Sequence, residues 1–194
     1  MSPRARFVAI ATVVGVIVGV AGGTLARRAL DDGPEPVDGE FVLDEPGIFQ
    51  QPTDAVNPDV SGDVLPDVDL ADVDGAAMGF DAYAGRPLII NVWFSRCAPC
   101  RRELRDFAEV HAEVGDQVQF VGVDPFDTVA TMQEFATERG VTYDLLLDPE
   151  REFTNAIGII GYPVTLFVDA DGRILRQTGV IDADGLRTAI EELY

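Results

Sequence analysis

The chain has no lysine: its 14 basic residues are all arginine, set against 34 acidic ones. A GC-rich genome and adaptation to high salt both fit that bias. The deficit leaves a formal net charge of −20 over 194 residues. Such a charge repels nucleic-acid phosphates, so a nucleic acid is excluded as a partner, and solubility is favoured. Cysteine is scarce too. Cys97 and Cys100 alone cannot build a disulfide-stapled framework, and their close spacing points to redox chemistry or metal binding. The single histidine, His111, would stand roughly 16 Å along a helix from the cysteines, too far to join them, and reads as a packed structural residue. Zinc would need about four ligands and a closed copper site soft ones, so no metal is expected. Covalent haem attachment requires a histidine directly after the second cysteine, and Arg101 stands there. No cofactor is expected either, and no internal repeat is visible.

What the sequence does contain begins with an uncharged run, Phe7 to Ala26. As a helix it would reach about 30 Å, the thickness of a bilayer hydrocarbon core. Arg4 and Arg6 flank one side, Arg27 and Arg28 the other. A cleaved signal peptide is the rival reading, but its apolar stretch is normally shorter. Thr24-Leu25-Ala26 only half satisfies a small-x-small cleavage site, and arginines follow at once. The balance favours an uncleaved single-pass anchor over residues 1–28, in contact with membrane lipid. The free amino terminus adds charge to the short side, which leans towards an extracytoplasmic domain. Residues 29–62 read as an acidic linker, with Pro34, Pro36, Pro46, Pro52 and Pro58 and no arginine. Such a composition buries too little apolar surface to offset its ordering entropy. Phe41, Val42, Leu43, Ile48 and Phe49 interrupt its polarity.

Apolar residues make up 47% of the chain, enough for a packed domain over residues 63–194. Strands and helices alternate there. Val64 to Leu70 reads as an opening strand with a turn at Asp74-Gly75. Leu88 to Phe94 is a continuous apolar run of strand length, as for a strand buried on both faces. A helix is expected from Cys97 to Val114, ending at Gly115. A strand follows over Gln117 to Val123, then a helix over Thr128 to Arg139 with Asp127 as its cap. Tyr143 to Leu147 reads as a short strand, and Asp148-Pro149 as the start of another helix. Thr165 to Val168 and Arg173 to Gln177 form a hairpin around Asp171-Gly172, and Asp182 caps a last helix, Ala183 to Leu193. The result is an α/β domain with a mixed central sheet flanked by helices.

Cys97-Ala98-Pro99-Cys100 follows the buried strand and opens a helix. A helix N-terminus stabilises a thiolate through its dipole and free N–H groups, so Cys97 is the expected nucleophile. Cys100 lies within reach as the resolving thiol. At about 100° per residue, Leu104, Phe107, Val110 and Val114 share one face of the helix, with Cys100 and Glu103 beside them. A carboxyl on the core side, one turn beyond the resolving cysteine, should have a raised pKa and suit acid–base work. A carboxylate reaching the rim, or paired with an arginine, is the plainer alternative.

The stretch Cys97-Ala98-Pro99-Cys100-Arg101-Arg102-Glu103, with Asn91-Val92-Trp93-Phe94 before it, resembles the active site of the TlpA/ResA-like thioredoxin family. Gly161-Tyr162-Pro163-Val164-Thr165 resembles that family's cis-proline loop, and the likeness spans roughly Val64 to Tyr194. It implies a thioredoxin-like fold with a cis Pro163 packed against the disulfide. It also implies Tyr162 facing a bound substrate and Glu103 as active-site acid; Trp93 and Arg96, close to the motif, are further candidate substrate-binding residues. By the same resemblance the protein is a membrane-bound or exported thiol–disulfide oxidoreductase that reduces protein disulfides. Its electrons would come from an upstream membrane donor, and cytochrome c maturation, with apocytochrome c as partner, is the associated process. Arg96 departs from the family, which usually carries tryptophan there. An adjacent cation should further stabilise the Cys97 thiolate, although a solvated loop arginine is the bland reading. Asn91 replaces the buried aspartate of thioredoxins proper. A copper carrier and a thiol peroxidase on the same fold are the alternatives.

Overall fold

The computed structural model describes residues 57–194. The expected membrane span and most of the expected linker lie outside these residues. Among the described residues, no helix is long and apolar enough to cross a membrane.

The strands are β1 (Leu70–Ala71), β2 (Ala77–Met78), β3 (Leu88–Val92), β4 (Gln119–Asp124), β5 (Asp144–Leu147), β6 (Val164–Val168) and β7 (Ile174–Thr178). The helices are α1 (Cys100–Val114), α2 (Val129–Thr137), α3 (Glu152–Ala156) and α4 (Ala183–Leu193), and a 3₁₀ turn spans Phe80–Tyr83. One sheet runs in the order β2-β1-β5-β4-β3-β6-β7. β3 lies inside it, parallel to β4 and antiparallel to β6, and all five of its residues are buried. That burial is why β3 is apolar throughout rather than alternating.

Alternate β3 residues serve opposite faces. Ile89 joins Phe120 and Phe167 under α1 and α4, which contribute Phe107, Val110, Leu186 and Ala189. Leu88, Ile90 and Val92 face the other way, with Phe80 and α3's Phe153. Each fully buried Leu, Ile or Phe adds about 1.5–3 kcal/mol, so β3 fixes the sheet and sets where its C-terminal end points. That end carries the cysteine loop.

Several expected boundaries move, each for a local reason. The opening strand shrinks to Leu70–Ala71; Val64 makes only an isolated bridge to Arg173. α1 begins at Cys100 rather than Cys97, because Cys97 N–H donates to the Phe94 carbonyl (3.1 Å) in a turn. α2 is capped by Thr128, whose side chain accepts from Thr131 N–H, and not by Asp127, which is engaged elsewhere. α3 starts at Glu152. Asp148 reaches it from outside, accepting from the N–H groups of Phe153 (3.3 Å) and Thr154 (2.9 Å), while Arg151 turns the chain with a φ of 56°. The folded region also extends back into the expected linker: Val60 is buried in the core, and Asn57 is hydrogen-bonded to the loop at Ile160-Gly161.

Candidate functional site: a buried dithiol centre

Phe94–Pro99 follow the C-terminal end of β3, and α1 carries the chain away from it. Cys97 and Cys100 are joined in a disulfide with their Cα atoms 5.3 Å apart. Cys97 is 6% exposed and Cys100 is wholly buried, so Cys97 is the sulfur an incoming group can reach. Its Sγ accepts from Cys100 N–H at 3.3 Å. The first free amide of α1 is thus aimed at the sulfur that would become the thiolate, as expected of a cysteine at a helix start.

Glu103 is 2% exposed, on the core side of α1 as the helix angle predicts. Oε1 accepts from Ile181 N–H (3.2 Å), while Oε2 has no hydrogen-bond partner. Desolvation pushes its pKa up to about 8, against the smaller pull of the Ile181 amide and the Asn91 side chain. Asn91, also buried, donates through Nδ2 to Thr165 Oγ1 on β6 (3.1 Å), and its Oδ1 is left unpartnered. Two unpartnered buried acceptors in one neighbourhood fit a protonated Glu103 better than an ionised one.

The Tyr162-Pro163 peptide bond is cis, as the loop's resemblance implies. Tyr162 is half-buried and packs on the cluster containing both cysteines. Its ring meets Phe94 at 5.4 Å and Phe126 at 5.5 Å, and those two meet each other at 5.0 Å. Phe126 remains 43% exposed and the nearby Ile160 73%. Arg96 is exposed beside Cys97.

Trp93 does not lie at a substrate surface. It is fully buried, stacked on Phe135 with centroids 5.4 Å apart, and its backbone N–H extends β3's pairing to Val123. Its place in the sequence beside the cysteine loop suggests contact, but strand alternation turns it inward under α2. It supports the site from beneath. His111 is half-buried against Phe120 and Tyr143, in keeping with a structural role.

Sequence reasoning missed three contributors. Asp127 accepts from Ser95 through both the backbone N–H (2.6 Å) and the hydroxyl (3.0 Å), pinning the loop two residues before Cys97. Asp124 is buried at the end of β4, accepts from the amides of Phe126 and Asp127 (2.9 Å each), and is pushed up to about 7, chiefly by burial. Asn57 clamps the segment before the cis bond: Oδ1 accepts from Ile160 and Gly161 N–H, and Nδ2 donates to the Gly161 carbonyl. Asp124-Pro125-Phe126-Asp127 offered a turn signal; Asn57 gave none, sitting in a Pro-rich acidic stretch. A cavity of about 580 Å³ opens at the other end of β3, lined by Val64, Phe80, Leu88 and Val168 among others, and holds none of these groups.

The arrangement can accept a disulfide at Cys97, resolve it with Cys100, and hold a proton on Glu103 nearby. Among the described residues no cluster of His, Cys, Asp or Glu is suited to a metal ion.

The AhpC/TSA family matches this chain over residues 61–186. The thiol-disulfide oxidoreductase ResA of Geobacillus thermodenitrificans is 25% identical over 134 residues, 68% of this chain and 77% of that protein. The structure of MTB DsbF in mixed oxidised and reduced forms superposes with a TM-score of 0.60 at 26% identity, covering 66% of this chain and 96% of that one. A secreted Mycobacterium tuberculosis disulfide oxidoreductase homologous to E. coli DsbE gives 0.58 at 22%, with 66% and 96% coverage, a likeness of fold. On the match across most of its folded region, the chain belongs to the AhpC/TSA family, with a thiol–disulfide oxidoreductase centre at Cys97 and Cys100.

Proposed function

We propose that the protein is an extracytoplasmic, membrane-tethered reductase of protein disulfides. The reduced Cys97 thiolate attacks one sulfur of a substrate disulfide. That bond breaks, a mixed disulfide forms through Cys97, and the other substrate sulfur leaves as a thiolate and takes up a proton. Cys100 then loses its proton, with Glu103 as the acid–base group at hand, and attacks Cys97 Sγ. The substrate leaves as a dithiol and the Cys97–Cys100 disulfide remains. Two electrons have passed to the substrate, and an upstream donor must return them. Arg96 and the α1 amides favour the first thiolate.

The observation that carries the direction is the buried Glu103 one turn from Cys100. The desolvation that keeps the Glu103 carboxyl protonated also disfavours a thiolate on the wholly buried Cys100, so ionisation of the dithiol is confined to Cys97 and the disulfide is the favoured partner of the couple. A peroxidase is less well supported, since the second cysteine sits three residues from the first and closes a local disulfide. The tether rests on the apolar run at residues 7–26, and cytochrome c maturation, with apocytochrome c as substrate, on the resemblance of the Cys97–Glu103 and Gly161–Thr165 motifs to the TlpA/ResA-like family. Equilibration with dithiothreitol or glutathione buffers tests the direction. A reduction potential at or below about −200 mV supports a reductase; a value near that of a strong oxidant, about −120 mV, would sink it.

A further inference from the structure

On a chain carrying a net charge of −20, the cations are not spread evenly. Arg96 precedes the first cysteine, and Arg101, Arg102 and Arg105 follow the second. All four are exposed. At about 100° per residue the last three span roughly 100° of α1's outer surface in its first turn and a half. Elsewhere Arg139, Arg176 and Arg187 pair with carboxylates and Arg86 and Arg173 bond to backbone carbonyls, whereas these four, like Arg151, have no ion pair among the described residues. The Arg101 guanidinium lies over the Phe135 ring, 5.9 Å from its centroid.

The carboxylates of Glu103, Asp106, Glu109 and Asp127 are turned to other work. Glu103 is buried, Asp127 holds Ser95, Glu109 is taken by Arg187, and Asp106 lies near the Ala183 amide at the start of α4. The collar is therefore an unneutralised positive patch around the one reachable sulfur, on a molecule that is otherwise strongly negative. Beside it stands the second feature, the Phe94–Phe126–Tyr162 ring cluster with the outlying Ile160. Among the described residues, Phe126 and Ile160 belong to the few large apolar side chains left exposed.

Resting on the proposed reductase function, we propose that the substrate protein docks through an acidic segment that carries an aromatic or aliphatic residue near its disulfide. The acidic residues meet Arg96, Arg101, Arg102 and Arg105, and the apolar residue meets the ring cluster, which brings the disulfide over Cys97. A partner is favoured over the chain's own acidic stretch at residues 31–45 because the patch flanks, in sequence, the sulfur that another protein's disulfide must approach.

The test uses the full chain, reduced, in single-turnover reaction with two cystine peptides that differ only in flanking residues, Asp/Glu with Phe against Arg with Phe. A neutral small disulfide, bis(2-hydroxyethyl) disulfide, serves as the reference. At low salt the acidic peptide is expected to react at least about 10-fold faster, the scale of electrostatic steering, and the gap is expected to close at high salt. The combined Arg101→Glu, Arg102→Glu and Arg105→Glu variant is expected to reverse the preference. Equal rates for the two peptides, with the neutral disulfide still reduced, would overturn the inference and leave the reductase function standing. Failure on all three substrates would overturn the function itself. Neutralising Asp31, Asp32, Glu35, Asp38, Glu40, Asp44 and Glu45 supplies a further arm. If a preference appears only in that variant, the chain's own segment occupies the patch, and the proposal of a partner is wrong.

Discussion

At the scale of single residues, the two cysteines differ by burial and the carboxyl between helix and sheet differs by charge state. Glu103 is pushed up to about 8 mainly by desolvation, whereas in the unfolded chain it titrates near its ordinary value, about 4.3. The folded protein therefore binds the extra proton between those two values. By linkage, stability is highest below about pH 4.3 as far as this group is concerned, falls as pH rises through the window, and levels off above about 8. Glu103→Gln removes the titration. The variant should be more stable than the parent at pH 8, by at most a few kcal/mol, since each tenfold difference in proton affinity between folded and unfolded chains is worth ~1.4 kcal/mol. The gap should narrow towards pH 4. Chemical denaturation across pH measures that. In the reduced form the Cys100 thiol should also ionise at lower pH in the variant, read from thiolate absorbance. Superimposable curves would make Glu103 a packing residue only.

At the scale of elements, the periodic segments were legible and the side-chain braces between them were not. β3, α1's inward face and α4 with its Asp182 cap follow from apolar spacing and a single capping residue, and the structure has them. Asp127 resembles a helix cap because aspartate suits that position; its carboxylate goes to Ser95 instead, a contact 32 residues away that no local pattern encodes. Its position next to the cysteine motif puts Trp93 at the substrate side, whereas its membership of the apolar run Leu88 to Phe94 points to burial, and the structure buries it fully. Gly122 in the middle of β4 is explained only by packing. A Cβ there would come within 2.8 Å of Trp93 Nε1 and 2.9 Å of Leu145 Cδ2. Gly122→Ala should therefore cost about 1–3 kcal/mol and quench or shift the fluorescence of the single tryptophan. An unchanged denaturation midpoint would show that Trp93 has room to move.

At the scale of the whole molecule, the folded region begins earlier than composition indicates: Asn57 and Val60 belong to it, held by the Ile160-Gly161 backbone and the core. Composition alone assigns them to the linker, since proline and acidic residues dominate both sides of that boundary. The proposed tether makes a separate expectation. The full chain should stay with membranes through a carbonate wash, and the 63–194 domain should be cleaved by protease added to spheroplasts. Release by carbonate would remove the anchor, and protection of the domain would reverse its orientation. The claim on which everything else depends is the order of attack at the cysteine pair, with Cys97 meeting the substrate and Cys100 releasing it. Cys100→Ser and Cys97→Ser forms, each expressed as the full chain and resolved on non-reducing gels, test it. The first should accumulate mixed disulfides that dithiothreitol releases, and the second should accumulate none. Equal trapping by both variants, or trapping by Cys97→Ser alone, would contradict the account.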